Sequence, residues 1–218
     1  MSIIHRTTLT PTKMELLSGW LPTRPWYLGT AGTAAPVKVG GFRLDDPDWE
    51  VGIEFMVVTD EAVTYHVPLT YRSSPLDGAD DALVGTTEHG VLGKRWVYDG
   101  TRDPVLVGQL VALIQGSAPA QAQSETDAPD PTVLSHAASP AALVPAGFTA
   151  SDGPDGTLLR IETGTAGELA LSVSRVLRDD AAQVAAEYGY VTALWHQPDG
   201  STARSIFATA TLDGRSRG

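Results

Sequence analysis

In WEVGIEFMVVTDEAVTYHVPLTYR, residues 49–72, apolar and polar side chains alternate along two runs separated by a short polar break. Trp49, Val51, Ile53, Phe55 and Val57 fall at every second position, with Glu50, Gly52, Glu54 and Met56 between them. After a turn at Thr59, Asp60 and Glu61, one face carries Val63, Tyr65, Val67, Leu69 and Tyr71, and the other carries Thr64, His66 and Thr70. A period of two belongs to strands, whose successive side chains point to opposite sides, so residues 49–72 read as one long antiparallel hairpin. Its place in the alternating row assigns Trp49 to the core.

Upstream, PVKVGGFRL (36–44) reads as a preceding strand with a bulge or bend at Gly40 and Gly41. Before it, TKMELLSGW (12–20) offers Thr12 as an N-cap and Glu15 as its capping-box partner, with Met14, Leu16 and Leu17 as an apolar face. That predicts a helix of about two turns, stopped near Gly19. The two prolines of LPTRPWYLG then argue for an ordered turn presenting Trp20, Trp26 and Tyr27. Downstream, a short strand at 83–87, a glycine turn and the strand GKRWVYDG lead to Asp103, a helix cap, and Pro104 at the favoured first position. The helix that follows, VLVGQLVALIQ, has Leu106, Leu110, Leu113 and Ile114 to bury. Residues 1–115 thus form a helix, sheet, helix unit.

Residues 116–141, rich in Ala, Pro, Ser and acidic groups, read as a flexible solvated linker. Beyond it, residues 142–218 read as a smaller β-rich region. TLLRIET and GELALSVSRVL flank one turn, YGYVTALW and TARSIFATATL flank HQPDGS, and the Ala-rich DDAAQVAAEYG between the hairpins is open to a helical turn or a strand start. The terminal RSRG is expected to fray.

The 218 residues are 42% hydrophobic and 19% charged, enough for a sizeable core. A formal charge of -11 disfavours nucleic acid and anionic membrane surfaces as partners. No cysteine is present, which excludes disulfides and thiolate chemistry. Neither a signal sequence nor the roughly 18 apolar residues of a membrane span is evident, and a cytoplasmic location is expected.

Glu88 and His89 sit in a glycine-rich frame ahead of Lys94, Arg95, Trp96 and Tyr98, side chains from which acid-base or sugar sites are built. Adjacent strand residues point apart, however, so the expectation is that Glu88 or His89 hydrogen-bonds a tight turn. Asp45, Asp46, Asp48 and Glu50 lack the spacing of a calcium loop and read as a solvated loop. His66, His136 and His196 lack metal-site spacing and read as surface or capping residues. No nucleophile elbow, phosphate loop or dinucleotide fingerprint occurs. No catalytic residue, cofactor or metal site is therefore expected. Trp26, Tyr27 and Trp96, in or beside turns, are the candidates for an exposed interface or sugar-stacking patch, with Glu88, His89 and Arg95.

Taken together, LLSGWLPTRPWYLG (16–29) and LVGTTEHGVLGKRWVYDGTRDPVLVGQLVALI (83–114) resemble the N-terminal cap of actinobacterial maltokinases and related sugar kinases, over roughly the first 115 residues. The resemblance implies an α+β fold, a curved cystatin-like antiparallel sheet packed on helices. It also implies a cap that sits beside a nucleotide-binding lobe and supplies no catalytic residue. GELALSVSRVL is faintly similar to the intermediate-sheet strand that carries a nucleotide-contacting lysine in such kinases, with Ser172 at that position; the His-Gly-Asp catalytic loop and helical lobe are absent from the chain.

The expectation that follows is a non-catalytic cap-like protein that binds or regulates an enzyme of maltose, trehalose or glycogen metabolism. One alternative is an α-glucan-binding module or minor glucan-active enzyme, built on Trp26, Tyr27, Trp96 and the Asp45 to Glu50 loop. Another is the accessory part of a split sugar kinase.

Overall fold

A computed structural model describes residues 9–30, 32, 34–123, 128–138, 143–164, 167–179 and 188–213. In chain order the elements are β1 (Leu9–Thr10), α1 (Lys13–Trp20), β2 (Val37–Leu44), β3 (Gly52–Asp60), β4 (Val63–Arg72), β5 (Leu83–His89), β6 (Gly93–Asp99) and α2 (Pro104–Ile114). They continue with β7 (Gln121–Ala122), β8 (Leu134–Ala137), β9 (Gly147–Asp152), β10 (Gly156–Glu162), β11 (Glu168–Ser174), β12 (Val176–Leu177), β13 (Gly189–His196) and β14 (Thr202–Asp213). Most of the Ala-rich segment between the two C-terminal hairpins, and the RSRG terminus, lie outside the described residues.

All the strands join one antiparallel sheet in the order β1-β5-β6-β4-β3-β2-β13-β14-β11-β10-β9, with β12, β7 and β8 pairing laterally onto β4, β2 and β13. Among the described residues the fold is β-rich, with two short α-helices. Both helices start where the local chemistry places them. Thr12 accepts from the Glu15 backbone while the Glu15 carboxylate accepts from the Thr12 backbone at 2.7 Å, a reciprocal capping box. Asp103 caps α2 by accepting from Val105 N at 2.9 Å, and Pro104 occupies the position that needs no donor. α1 runs one residue past the expected stop at Gly19 and passes into a 3-10 turn at Leu21–Thr23.

The β3–β4 hairpin turns on two residues, with Asp60 opposite Val63, Val57 opposite His66 and Phe55 opposite Pro68. The apolar row of β3 therefore lies on one side of the sheet and that of β4 on the other, and both sides are covered. Phe55 and Val57 pack with Phe42, with Leu106 and Leu110 of α2, and with Phe207 from the C-terminal half. Met56, Val58, Tyr65 and Val67 pack on the opposite side with Leu17 and Trp20 of α1 and with Trp26.

The two halves of the chain share the first of these cores. They meet at Gly40 opposite Trp195, where a Cβ on Gly40 would stand 3.0 Å from the Trp195 Cβ, so a larger residue would crowd the pairing. The neighbouring bulge needs Gly41, because its φ is +125° and a Cβ there would stand 2.1 Å from the Phe55 carbonyl oxygen. Part of the run 116–141, expected to be a flexible linker, is strand among the described residues. Within this run β7 pairs β2 and β8 pairs β13, because β2 and β13 each leave a stretch of unpaired backbone beside their mutual contact.

A buried ion pair adds a second join. Arg175 reaches from the C-terminal half to both Asp99 carboxylate oxygens (2.7 and 2.6 Å) and to Thr101 Oγ1 (2.9 Å), its Nε donates to Thr157 Oγ1 (2.8 Å), and the guanidinium lies 5.0 Å from the Trp26 ring. Beside it His66 is a core residue, 1% exposed, instead of the surface or capping residue expected, because its ring fits between Phe55 and Phe207. The carbonyl of Ser174 can only accept, so His66 Nδ1, 2.9 Å away, carries the ring proton.

Burial, reinforced by the charge of Arg175, depresses His66 from its ordinary 6.5 to about 3. The unfolded chain then binds one more proton than the folded chain between those values, so stability is complete above pH 6.5 and falls by about 1.4 kcal/mol per unit as pH drops. Urea midpoints at pH 7, 6 and 5 are expected to show this slope, and His66→Leu to reduce it by one proton; equal slopes in the two proteins would refute a neutral buried His66.

Candidate functional site

A groove of about 570 Å³ lies between the β2–β3 loop and the β5–β6 hairpin. One wall is the loop at residues 45–51, organised by Asp46. Its carboxylate accepts from the backbone N–H of Asp48 (3.1 Å), Glu50 (3.0 Å) and Val51 (2.9 Å), and its carbonyl accepts from Trp49 N (3.1 Å). Asp46 is buried as a result, whereas a solvated loop was expected. Trp49, held at φ +60°, is 56% exposed and lines the groove.

The opposite wall is the hairpin tip. His89 Nδ1 accepts from Leu92 N (3.0 Å) and Val91 N (3.3 Å), which closes the turn and leaves Val91 and Leu92 exposed. Arg95 follows on β6 and lines the groove with His89 and Leu92. At the floor, Glu54 is buried with an ion pair to Lys13, a Lys38 Nζ at 3.6 Å, and donors from Tyr71 (2.6 Å) and Gln123 (3.1 Å). Burial pushes the Glu54 carboxyl up, but Lys13, Lys38 and the bonds from Lys13 and Tyr71 outweigh it and hold it below the ordinary value. Burial and the Glu54 charge push the Tyr71 phenol well above its own. The floor is thus a locked network of charge and hydrogen bonds at neutral pH. Two groove-lining residues each have a polar atom shut off from solvent and without a partner among the described residues, Asp45 at Oδ1 and Arg95 at Nε.

The six residues singled out from the sequence do not converge. His89 and Arg95 line this groove. Glu88 is exposed and stands opposite Lys94 in the strand register. Trp96, next to Arg95, is half-buried beneath the Lys94 ammonium, 4.9 Å from its ring. Tyr27 is half-buried, stacked on Tyr65 at 5.5 Å and donating to Asp60 at 2.6 Å. Trp26, expected in an exposed patch, is fully buried, edge-on to Trp20 at 5.7 Å. The aromatic pair exchanged places: the tryptophan assigned to the core is at the surface, and the tryptophan assigned to the surface is in the core.

The chain turn after α1 buries Trp26 because Asp60 pins it from below, accepting from Tyr27 and from Ala35 N at 2.9 Å. Trp49 escapes because β3 begins only at Gly52, so the alternation extends into a loop. The signal in the sequence was the run of aspartates before Trp49, since an Asx side chain that caps its own loop ends a strand. Lys13, Arg43 and Tyr71, which also line the groove, carried no such signal. Among the described residues no group of three or more His, Asp or Glu side chains is placed to hold a metal, and no helix is long and apolar enough to cross a membrane.

No curated protein matches the chain. A family model does match, over residues 20–103, and it spans the chain from the last residue of α1 to the cap of α2, with all of β2 through β6 and most of the groove lining between. Over residues 20–103, less than half of its length, the chain is similar to the maltokinase N-terminal cap domain.

Proposed function

We propose that this chain is a non-catalytic cap-like protein of the cytoplasm that binds a maltokinase-like sugar kinase, or another enzyme of maltose, trehalose or glycogen metabolism, and adjusts its activity. The cap-domain match over residues 20–103 carries the reading. In this reading residues 1–115 are the cap, of the cystatin-like kind its family resemblance implies, and residues 142–218 buttress it from the far side of the shared core. The β5–β6 hairpin supplies the contact, since Leu83, Val91 and Leu92 are large apolar side chains 37%, 63% and 46% exposed on one hairpin.

The test mixes the purified chain with a purified maltokinase and measures both binding by calorimetry and the rate of ATP-dependent maltose phosphorylation. Saturable binding weakened at least about ten-fold by Leu92→Asp, which costs on the order of 1.4 kcal/mol at an apolar contact, supports the proposal. No heat and no change of rate with maltokinase or with a trehalose or glycogen enzyme overturns it. Phosphorylation that appears only when this chain is added to a lobe inactive alone would identify it as the accessory part of a split kinase.

A further inference from the structure

We infer that the free edge of β9 is a docking site for an extended, basic segment of another protein, which adds to the sheet as one more strand. This is independent of the partner proposed above, whose contact is the β5–β6 hairpin.

β9 ends the sheet, and among the described residues its one strand neighbour is β10. Gly153 N donates to Gly156 O at 2.8 Å, so these two form a hydrogen-bonded pair. Such pairs alternate along an antiparallel ladder, which makes Ser151 with Leu158 and Thr149 with Arg160 the next two. The residues between them, Phe148, Ala150 and Asp152, turn their backbone groups away from β10. The Ala150 carbonyl shows the same phase, because it accepts from Arg102 Nη1 on the outer side. Among the described residues the amides of Phe148, Ala150 and Asp152 have no acceptor. Amides at alternate residues, about 7 Å apart, are the template on which an extended backbone pairs, since its carbonyls repeat at the same interval. Exposed edges are commonly blunted by lysine or proline, and β9, with the sequence GFTASD, has neither.

The edge opens into a cavity of about 720 Å³. Phe148, Ala150 and Asp152 line one side of it and the turn at residues 76–82 lines the other, so a strand laid about 4.8 Å from β9 enters this space.

Charge selects the occupant. Of the charged residues that line the cavity, Arg102 is paired with Asp152 and Asp99 with Arg175. That leaves Asp77 and Asp81, both exposed and without an ion pair among the described residues, against one cation, Arg24. Within a chain of net charge -11 this excess attracts lysine or arginine. A second copy of this chain is a poor occupant, because its own β9 would bring another Asp152 and the same carboxylates to the seam.

The experiment uses the full chain and three blocked heptapeptides: Lys-Val-Thr-Val-Lys-Val-Thr, its counterpart with Glu for Lys, and the basic peptide N-methylated at alternate residues. Calorimetry measures binding, and hydrogen exchange followed by NMR reads each amide. In the chain alone Phe148, Ala150 and Asp152 should exchange at least about ten-fold faster than Thr149 and Ser151, whose amides face β10. The basic peptide should bind saturably and protect those three amides, whereas the acidic and N-methylated peptides should bind at least about ten-fold more weakly. Ala150→Pro removes an amide that the β9–β10 ladder does not use, so it should leave the melting temperature near that of the parent and weaken the basic peptide at least about ten-fold. Asp77→Asn with Asp81→Asn should weaken it at least about three-fold and reduce its salt dependence. Three amides already protected in the chain alone, no saturable binding of the basic peptide, equal binding of the acidic one, or binding without protection of the three amides overturns the inference. So does a dimer of the chain alone, seen by sedimentation, that Ala150→Pro abolishes, since the occupant is then a second copy.

Discussion

Replacing Arg175 by methionine is expected to destabilise the protein by about 3–5 kcal/mol, the cost of leaving a buried carboxylate without its partner. Asp99 is 2% exposed, and without Arg175 it keeps, among the described residues, the short-range donors from Thr101, at 3.1 Å from N and 2.8 Å from Oγ1. Thr157 loses its bond to Nε at the same time. Loss should be much smaller in the double variant Arg175→Met with Asp99→Asn, because removing both charges removes the uncompensated one. Urea denaturation of the two single variants and the double completes a thermodynamic cycle. A loss of under about 1 kcal/mol for Arg175→Met would mean that the pair behaves as an exposed one and does not join the two halves.

Trp26→Ala is expected to cost about 3–5 kcal/mol as well, the range for emptying a large aromatic site in a packed core. Trp26 has no exposure, and Trp20, Tyr65 and the Arg175 guanidinium surround it at 5.7, 6.0 and 5.0 Å. Trp26→Phe should cost less, since most of the contact surface remains. Had Trp26 belonged to a surface patch, its truncation would move stability by no more than about 0.5 kcal/mol, so the urea midpoint separates the two placements. The effects of Trp26→Ala and Arg175→Met should fall short of additive, because the two side chains touch.

Both large effects arise at residues whose roles were not legible in the chain, and the reason is range. The Thr12–Glu15 box and the Asp103–Pro104 start were legible because they involve groups three residues apart or closer, and both are present as expected. The hairpins β3–β4, β5–β6, β10–β11 and β13–β14 were legible because alternation and turn residues are local too. Of the site, the His89 turn was legible on the same ground, and the cap-like resemblance ran through the strands that carry the groove.

The distribution of faces was not. A three-residue turn at Thr59, Asp60 and Glu61 would set Phe55 opposite Tyr65 and gather both apolar rows on one side. The two-residue turn at Glu61 and Ala62 sets Phe55 opposite Pro68, so each row needs its own cover. This odd shift of register, from Tyr65 to Pro68 opposite Phe55, therefore decides that the sheet is buried on both faces, that His66 enters a core, and that α1 and Trp26 must close the second side. Register is selected by the total burial of the folded molecule, which no window of the sequence contains.

Periodicity, capping and turn chemistry thus lay in the order of residues, since each acts between neighbours whose spacing the covalent chain sets. The joining of the halves, the burial of Trp26 and the exposure of Trp49 were decided by packing between distant segments. Arg175 finds Asp99 across 76 positions of chain because pairing β12 to β4 brings it there, and a carboxylate buried at that point is stable only with a cation beside it.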